Sequence, residues 1–355
     1  MHTNYPVVDS RFLYTPDSID SLADHTMKWS LLKYAEIKLH HYFFEKEFDE
    51  VVVKGCYNRN SCISKYEKTG KIINEHRPTA KMSGRQLTLE CFPGTEYIRH
   101  FAAVVSTYIR LSDWFKDKKI RVVYALPSEA EMFEAVRGLN ILDIPLHNTV
   151  ITGWGLFDIF PEVLWQEHGT LVWSEVRIGR EDVTVLGFKN TFWGDILGRI
   201  CKLMIEEGGV KTIIYTAKAG GINPSLVPNV SIVTGDTSLI EGEVVRWKNL
   251  FNDVTYEHIS KATHINSPSA IFESNEWFQL LGNFDIVESE IGHCARMATR
   301  LGSTFSYVHF ISNTLTTDFR ENLSNERDAV IISKREKLKR ILRSIISEAI
   351  LSSQK

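Results

Sequence analysis

The sequence predicts an α/β protein: a central, largely parallel or mixed sheet with helices, preceded by a mostly helical N-terminal extension. Three observations predict it. From Lys119 onward, short apolar runs of strand character alternate with helical patterns. Several of those runs read as buried strands that end in loops. Before that point the clearest apolar pattern is helical, with Leu22, Met27, Leu31, Leu32, Tyr34, Ala35, Ile37 and Leu39 at helix spacing. Residues 1–117 are therefore read as an extension of unknown role, and 118–355 as the α/β domain with a C-terminal helix.

In chain order, a helix is expected over 18–48, with Asp20 or Ser21 as its cap. Strands follow at 50–55 and 85–92, then an aromatic-rich helix from Glu96 to about Lys116. Residues 119–128 read as the first strand of the α/β domain, and 128–140 as the helix after it. Strands are expected at 150–157, 169–179, 181–188, 210–221, 229–236, 284–290 and 305–313, with helices at 194–208 and 291–302. The closing stretch, 325–351, is an amphipathic helix offering Ile332, Leu338, Ile341, Ile345 and Ile346 on one face. Its Lys/Arg run reads as a solvated face.

Composition narrows the function. Hydrophobic residues at 43% and charged residues at 24% exclude a disordered chain, a collagen-like repeat and a coiled-coil rod. No run approaches the roughly 18 apolar residues of a membrane span. A net charge of -3, from 41 basic and 44 acidic residues, argues against nucleic acid as a partner. Five scattered cysteines without CxxC spacing suggest neither a disulfide framework nor a zinc site. No signal-peptide pattern stands at the N-terminus, so a cytoplasmic location with reduced thiols is expected. His40 and His41 are adjacent, do not share a helix face, and are expected on a helix surface rather than as metal ligands.

Four local patterns suggest chemistry. Residues 211–226 run from a buried strand into Ala217-Lys218-Ala219-Gly220-Gly221, where paired glycines permit close backbone approach and positive φ. The alternative is an ordinary strand-to-loop turn. Glu288 and Glu290 end an apolar strand at a helix start, and their i, i+2 spacing puts both on one side of an extended segment. Acids at a helix start are equally favoured by the helix dipole alone. Asn313 follows an apolar strand, and Glu129 follows the strand at 119–125.

Taken in order, ALPSE, AGGINPSL, VESE before a helix and FISN resemble the nucleoside phosphorylase/nucleosidase superfamily over roughly residues 119–320. The resemblance implies a three-layer α/β/α fold around a mixed sheet. It implies that Glu129 positions water and ribose, that Glu290 receives the ribose hydroxyls, and that Asn313 meets the leaving base. Substrate-binding roles follow for Glu288, Ser289, Lys218, Ala219 and Gly220, and for His264 and Ile265 at the place of a base-stacking aromatic. The chemistry suits these residue types. Breaking an N-ribosidic bond creates a cationic sugar, which a carboxylate stabilises, and an anionic base, which a donor stabilises.

The departures from the family pattern matter too. Asparagine at 313 donates a hydrogen bond but delivers no proton. The resemblance to 6-oxopurine phosphorylases, which carry asparagine there, implies an oxo-base such as guanine or hypoxanthine over adenine, and the change equally fits lost or altered catalysis. Lys218 replaces a small hydroxyl residue; it either binds phosphate or pairs with Glu129 or Glu290. Bulky Phe192 and Trp193 stand in residues 187–195, where a glycine-rich phosphate cradle is expected, and both read as core. The implied function is cleavage of a purine-type nucleoside or nucleotide, with hydrolysis favoured over phosphorolysis. No cofactor or metal is implied, only inorganic phosphate as co-substrate if the reaction is phosphorolytic. A homo-oligomer is implied as well. The alternatives are a phosphorylase-like fold turned to another step on a nucleoside-derived substrate in specialised metabolism, and a non-catalytic nucleoside-binding module.

Overall fold

The computed structural model describes residues 13–70, 73–254, 256, 259–281, 283–315, 319, 321–325 and 328–354. The first part of the chain forms β1 (Leu13–Tyr14), α1 (Ser30–Glu36), α2 (Tyr42–Glu45), β2 (Glu50–Lys54), β3 (Thr79–Ser83), β4 (Gln86–Glu90), α3 (Thr95–Leu111) and β5 (Arg121–Ala125). Among the described residues these strands build a five-stranded sheet in the order β1-β5-β2-β4-β3. Its middle strands β5, β2 and β4 are parallel, and β1 and β3 are antiparallel edges.

The extension is thus an α/β unit rather than mostly helical. Its strands are short and separated by long polar stretches, so their pairing leaves little periodicity to read. Val51, Val53, Leu87, Leu89 and Val122 from the strands share one core with Leu31 and Ala35 of α1 and Ile98 and Phe101 of α3. The strand expected to open the second domain is β5, and it lies between β1 and β2. The chain therefore leaves the first unit after Ala125, not at 117/118. The helix expected over 18–48 is also broken. His25 Nδ1 accepts from Met27 N at 3.0 Å and His40 Nδ1 from Tyr42 N at 3.1 Å, local bonds that compete with a continuous helix. His40 and His41 are buried at the corner before α2 instead of lying on a helix surface.

The second part begins with α4 (Glu129–Arg137), β6 (Thr149–Gly153), α5 (Leu156–Ile159), β7 (Gln166–His168), β8 (Leu171–Ile178), β9 (Glu181–Phe188) and α6 (Asp195–Glu206). It continues through β10 (Thr212–Gly221), β11 (Ile232–Thr234), β12 (Thr237–Ile240), β13 (Glu243–Arg246), β14 (Ile259–Lys261) and β15 (His264–Asn266). It ends with α7 (Asn275–Gln279), β16 (Ile286–Glu288), α8 (Ile291–Arg300), β17 (Thr304–Thr314) and α9 (Ala329–Ser353). Among the described residues the strands make a twelve-stranded mixed sheet, with β10 beside β6, β16 and β17. β10 runs parallel to β6 and β17, and its final glycines pair antiparallel with β16.

The period-2 alternation of side chains divides the sheet's two faces between two helical layers. Ile213, Tyr215, Phe305 and Tyr307 pack with Ile200 and Met204 of α6 and Ala295 and Ala298 of α8. Ile214, Val308 and Phe310 face the other way, against Leu342, Ile345 and Ile346 of α9. This is the three-layer α/β/α arrangement expected of the second part. On α9, Ile332 is 44% exposed and so stands off the packed face. The basic run is not wholly solvated: Lys339 pairs with Asp158, and Arg335 Nε donates to Asn229 Oδ1 at 2.8 Å. Among the described residues no helix is long and apolar enough to cross a membrane.

Candidate active site

The ends of β10, β16 and β17 converge beside a cavity of about 210 Å³. Its wall includes Lys218, Gly220, Glu288, Ser289, Glu290 and Asn313, six of the residues singled out in the sequence. β10 and β17 reach it in parallel, with a register shift between Ala219 and Gly220 that sets Gly220 opposite Asn313. Gly220 continues the strand without a positive φ; its need for glycine is spatial. A Cβ there would stand 3.0 Å from Val287 Cγ1 and 3.1 Å from Leu315 Cδ1.

The two glutamates of VESE do different work. Glu288 folds back so that its Oε2 accepts from the backbone N–H of Glu290 at 2.6 Å and Ile291 at 2.7 Å, closing the first turn of α8. Burial, reinforced by the Glu290 carboxylate, pushes the Glu288 carboxyl well above its ordinary range. Glu290 accepts from Gly194 N at 2.9 Å through Oε1 and from Tyr215 Oη at 3.3 Å through Oε2. Gly194 has φ +59, and a Cβ there would meet Glu96 Oε2 at 1.8 Å, so only glycine can bring this N–H to Glu290. Tyr215 thus serves to orient Glu290. Asn313 Oδ1 accepts from Ser312 Oγ at 2.8 Å, which leaves Nδ2 as the donor a ligand would meet.

Sequence reasoning missed Glu273. The chain after β15 crosses the cavity edge and sets Glu273 in its wall, 7% exposed. Burial pushes this carboxyl up to about 8, against which the bond to Ser267 acts only weakly. Its backbone is tied to the first unit, Thr26 Oγ1 donating to Glu273 O at 2.8 Å. Glu273 and Asn313 also line an adjoining cavity of about 640 Å³, which extends past Trp29 and Phe319.

The opposite wall comes from the first unit: Tyr34 and Lys38 near α1, Arg77 before β3, and Tyr97 and His100 on α3. Trp193 completes it, its ring stacked on His100 at 4.2 Å and 13° and its Nε1 donating to Pro268 O at 2.8 Å. Phe192 is core, as expected; Trp193 is half-buried, packed against the core of the first unit on one side and lining the cavity on the other. Asp195 joins the two units, its carboxylate accepting from Thr95 N and Glu96 N at 3.2 Å each and so capping α3 from outside.

No family model matches the chain, and no curated protein matches it in sequence. The chain is similar to solved nucleosidases. A futalosine hydrolase mutant of Helicobacter pylori aligns at 14% identity and TM-score 0.44, over 57% of this chain and 98% of that one. The 5'-methylthioadenosine/S-adenosyl homocysteine nucleosidase of Campylobacter jejuni aligns at 12% identity and TM-score 0.45, over 57% and 97%. A Weissella paramesenteroides protein assigned as a methylthioadenosine nucleosidase aligns at 16% identity and TM-score 0.44, over 56% and 97%.

Four sequence-based expectations fall outside the cavity. Glu129 begins α4 at the surface, where Arg199 Nη1 and Nη2 donate to it at 2.6 and 2.8 Å and hold its carboxyl below the usual range. It would be a strand-end acid of the site only if β5 belonged to the second sheet, and β5 lies between β1 and β2 in the first. Ala219 is packed in the core. His264 is fully buried, its Nδ1 2.8 Å from Ser238 Oγ and its Nε2 3.1 Å from Glu288 O, so it supports the VESE strand, and among the described residues it stacks on no aromatic ring. Ile265 packs with Ile222, Leu281 and Val287. Lys218 pairs with neither Glu129 nor Glu290 among the ion pairs described, and its Nζ stands 5.9 Å from the Trp154 ring centre. Glu129→Gln is accordingly expected to leave turnover within about twofold of wild type; a loss of two orders of magnitude in a steady-state assay would return Glu129 to the site.

His40, His41 and Cys62 form the one compact group of potential metal ligands among the described residues. The fit to a metal is poor. Both Nδ1 atoms accept backbone N–H groups, from Tyr42 at 3.1 Å and Lys65 at 3.2 Å, which puts the ring proton on each Nε2. His40 Nε2 is then spent on Cys62 O at 3.1 Å.

Proposed function

We propose that this protein cleaves the N-ribosidic bond of a purine-type nucleoside or nucleotide, by hydrolysis rather than phosphorolysis. The observation that carries this reading is the meeting of Glu290, Asn313 and Glu273 in the wall of one cavity. Cleavage places positive charge on the ribosyl ring and negative charge on the departing base. Glu290, fixed by Gly194 and Tyr215, is oriented to accept the ribose hydroxyls and to favour the cationic sugar. Asn313 Nδ2 supplies a hydrogen bond to the base. Glu273, protonated at neutral pH because of its burial, supplies the acid that asparagine at 313 cannot. Preference for an oxo-purine follows from a neutral amide donor beside that acid.

Hydrolysis is favoured because Trp193 presents a side chain to the cavity where a phosphate cradle would offer bare backbone. Incubation with inosine, guanosine, adenosine and their 5′-monophosphates, with and without inorganic phosphate, tests the reading by chromatography of free base. Release without phosphate is expected, with the oxo-purines ahead of adenine. No free base from any member of the panel would overturn the proposal.

A further inference from the structure

Glu96 stands in the first turn of α3, in the first unit, yet its side chain ends beside the glycine that orients Glu290. Gly194 has φ +59 and ψ −122, a backbone conformation that L side chains rarely adopt, and its N–H donates to Glu290 Oε1. The Glu96 carboxylate occupies the side of Gly194 from which a Cβ would project. It therefore leans directly on the residue whose peptide must keep this unusual direction.

Four elements hold that carboxylate in place. Asp195, the neighbour of Gly194, accepts from Glu96 N, so the start of α6 and the start of α3 grip each other. His293 Nε2 stands 2.9 Å from Glu96 Oε1, close but off the line of a good hydrogen bond. Asn266 Nδ2 donates to the same oxygen at 3.5 Å. Arg296 Nη2 donates to His293 Nδ1 at 3.3 Å, which leaves the ring proton on Nε2, toward Glu96. His293 follows Glu290 by one turn of α8. The contacts thus close a ring, from Glu290 to Gly194 and Asp195, across to Glu96, and through His293 back to α8.

The ring is held at a cost. Glu96 Oε2 is buried without a hydrogen-bond partner among the described residues. Burial pushes the Glu96 carboxyl above its ordinary range; His293 opposes this, while the Asp195 and Glu290 charges add to it. A leucine or methionine would fill the same space without that penalty. An acid is accounted for when its direction matters: anchoring one oxygen on His293 fixes where the other presses on Gly194.

We infer that Glu96 is a positioning residue, anchored by His293, that holds Gly194 in the backbone conformation aiming its N–H at Glu290. The inference rests on the ribosidic reading only for what Glu290 then does to a substrate. Glu96 acts on the reaction through Gly194, which makes the first unit part of the clamp on the second unit's carboxylate.

Hydrogen exchange at the Gly194 amide of the full chain, read by NMR with isotope-labelled glycine, reports the clamp without any substrate. Steady-state kinetics with an oxo-purine nucleoside report its consequence. Glu96→Ala is expected to speed exchange at Gly194 by about tenfold or more, while Gly187 in β9 keeps its protection. It should lower kcat by about tenfold to a hundredfold with KM little changed. Glu96→Gln keeps the shape and an acceptor for His293, and should restore both readouts. His293→Asn removes the anchor from the other side and should reproduce the loss, which keeps the test decisive where Glu96→Ala does not fold. Unaltered Gly194 exchange in the folded variants, a kcat that does not fall with it, or a glutamine variant as impaired as the alanine one overturns the role. Faster exchange in a protein whose wild type releases no base supports the clamp and removes the ribosidic reading instead.

Discussion

Glu290→Ala is expected to lower the rate of base release by about 10³-fold or more while the protein still folds. A single preorganised electrostatic contact to a developing charge is worth about 10²–10³ in rate. Glu290 makes the larger claim because two hydrogen bonds hold its carboxyl in one orientation before the charge develops. The fold cost is smaller. Removing the carboxylate leaves Gly194 N–H and the Tyr215 hydroxyl without their acceptor, a penalty of about 1–3 kcal/mol for a buried group. That shifts the melting temperature by several degrees at most. Glu290→Gln is the sharper companion, since it keeps an acceptor oxygen and the shape but not the charge. Near-wild-type turnover by the glutamine variant, measured with an oxo-purine nucleoside or nucleotide, would remove Glu290 from the mechanism.

Stability is expected to peak near pH 6.5 and to fall steeply in acid. Burial holds His25 and His40 at about 4, and His264 and His309 at about 3, against a free value of 6.5. The unfolded chain therefore binds these protons first, and stability is lost as pH falls from 6.5 through the folded values. Each imidazole costs about 3 kcal/mol by pH 4. Four of them approach the whole stability of an ordinary domain, about 5–15 kcal/mol. Glu273 runs the other way. Its folded value of about 8 lies above its free value of 4.5, so its burial penalty is largest above pH 8 and fades as pH falls toward 4.5. Above neutrality the acid sets the slope; below 6.5 the four imidazoles outweigh it. Urea unfolding at pH 8.5, 6.5 and 4.5 measures both limbs, and a protein more stable at pH 4.5 than at 6.5 would refute the argument.

The parts of the site carried by single strands were legible in the sequence. β10 and β17 are long runs whose alternate residues face two different helical layers, so their ends, and with them Lys218 and Asn313, could be placed. Glu290 was legible because an acid at a strand-to-helix junction is fixed by local geometry. Sheet membership was not, because β5 carries the same apolar texture as β6 or β10 and the texture does not name the neighbour. Misplacing β5 carried Glu129 into the site, when its partner Arg199 lies on α6. Glu273 gave no signal, since one acid after a short apolar run resembles any surface acid until the chain's path shows what buries it. Gly194 meets Glu290, and His100 meets Trp193, only through contacts between segments about a hundred residues apart, which no local pattern encodes.

Ala270 and Ile271 lie two hundred residues beyond α1, yet they are packed in the core of the first unit, and His25 Nε2 bonds Ala270 O at 2.9 Å. The segment that carries Glu273 is thus a plug borrowed by one half of the molecule from the other. Neither half is a transplantable module: cutting the chain after Ala125 would leave the first core with a hole and the second with an unanchored acid. Any change in how the first unit seats itself would be felt as a displacement of Glu273 in the cavity wall.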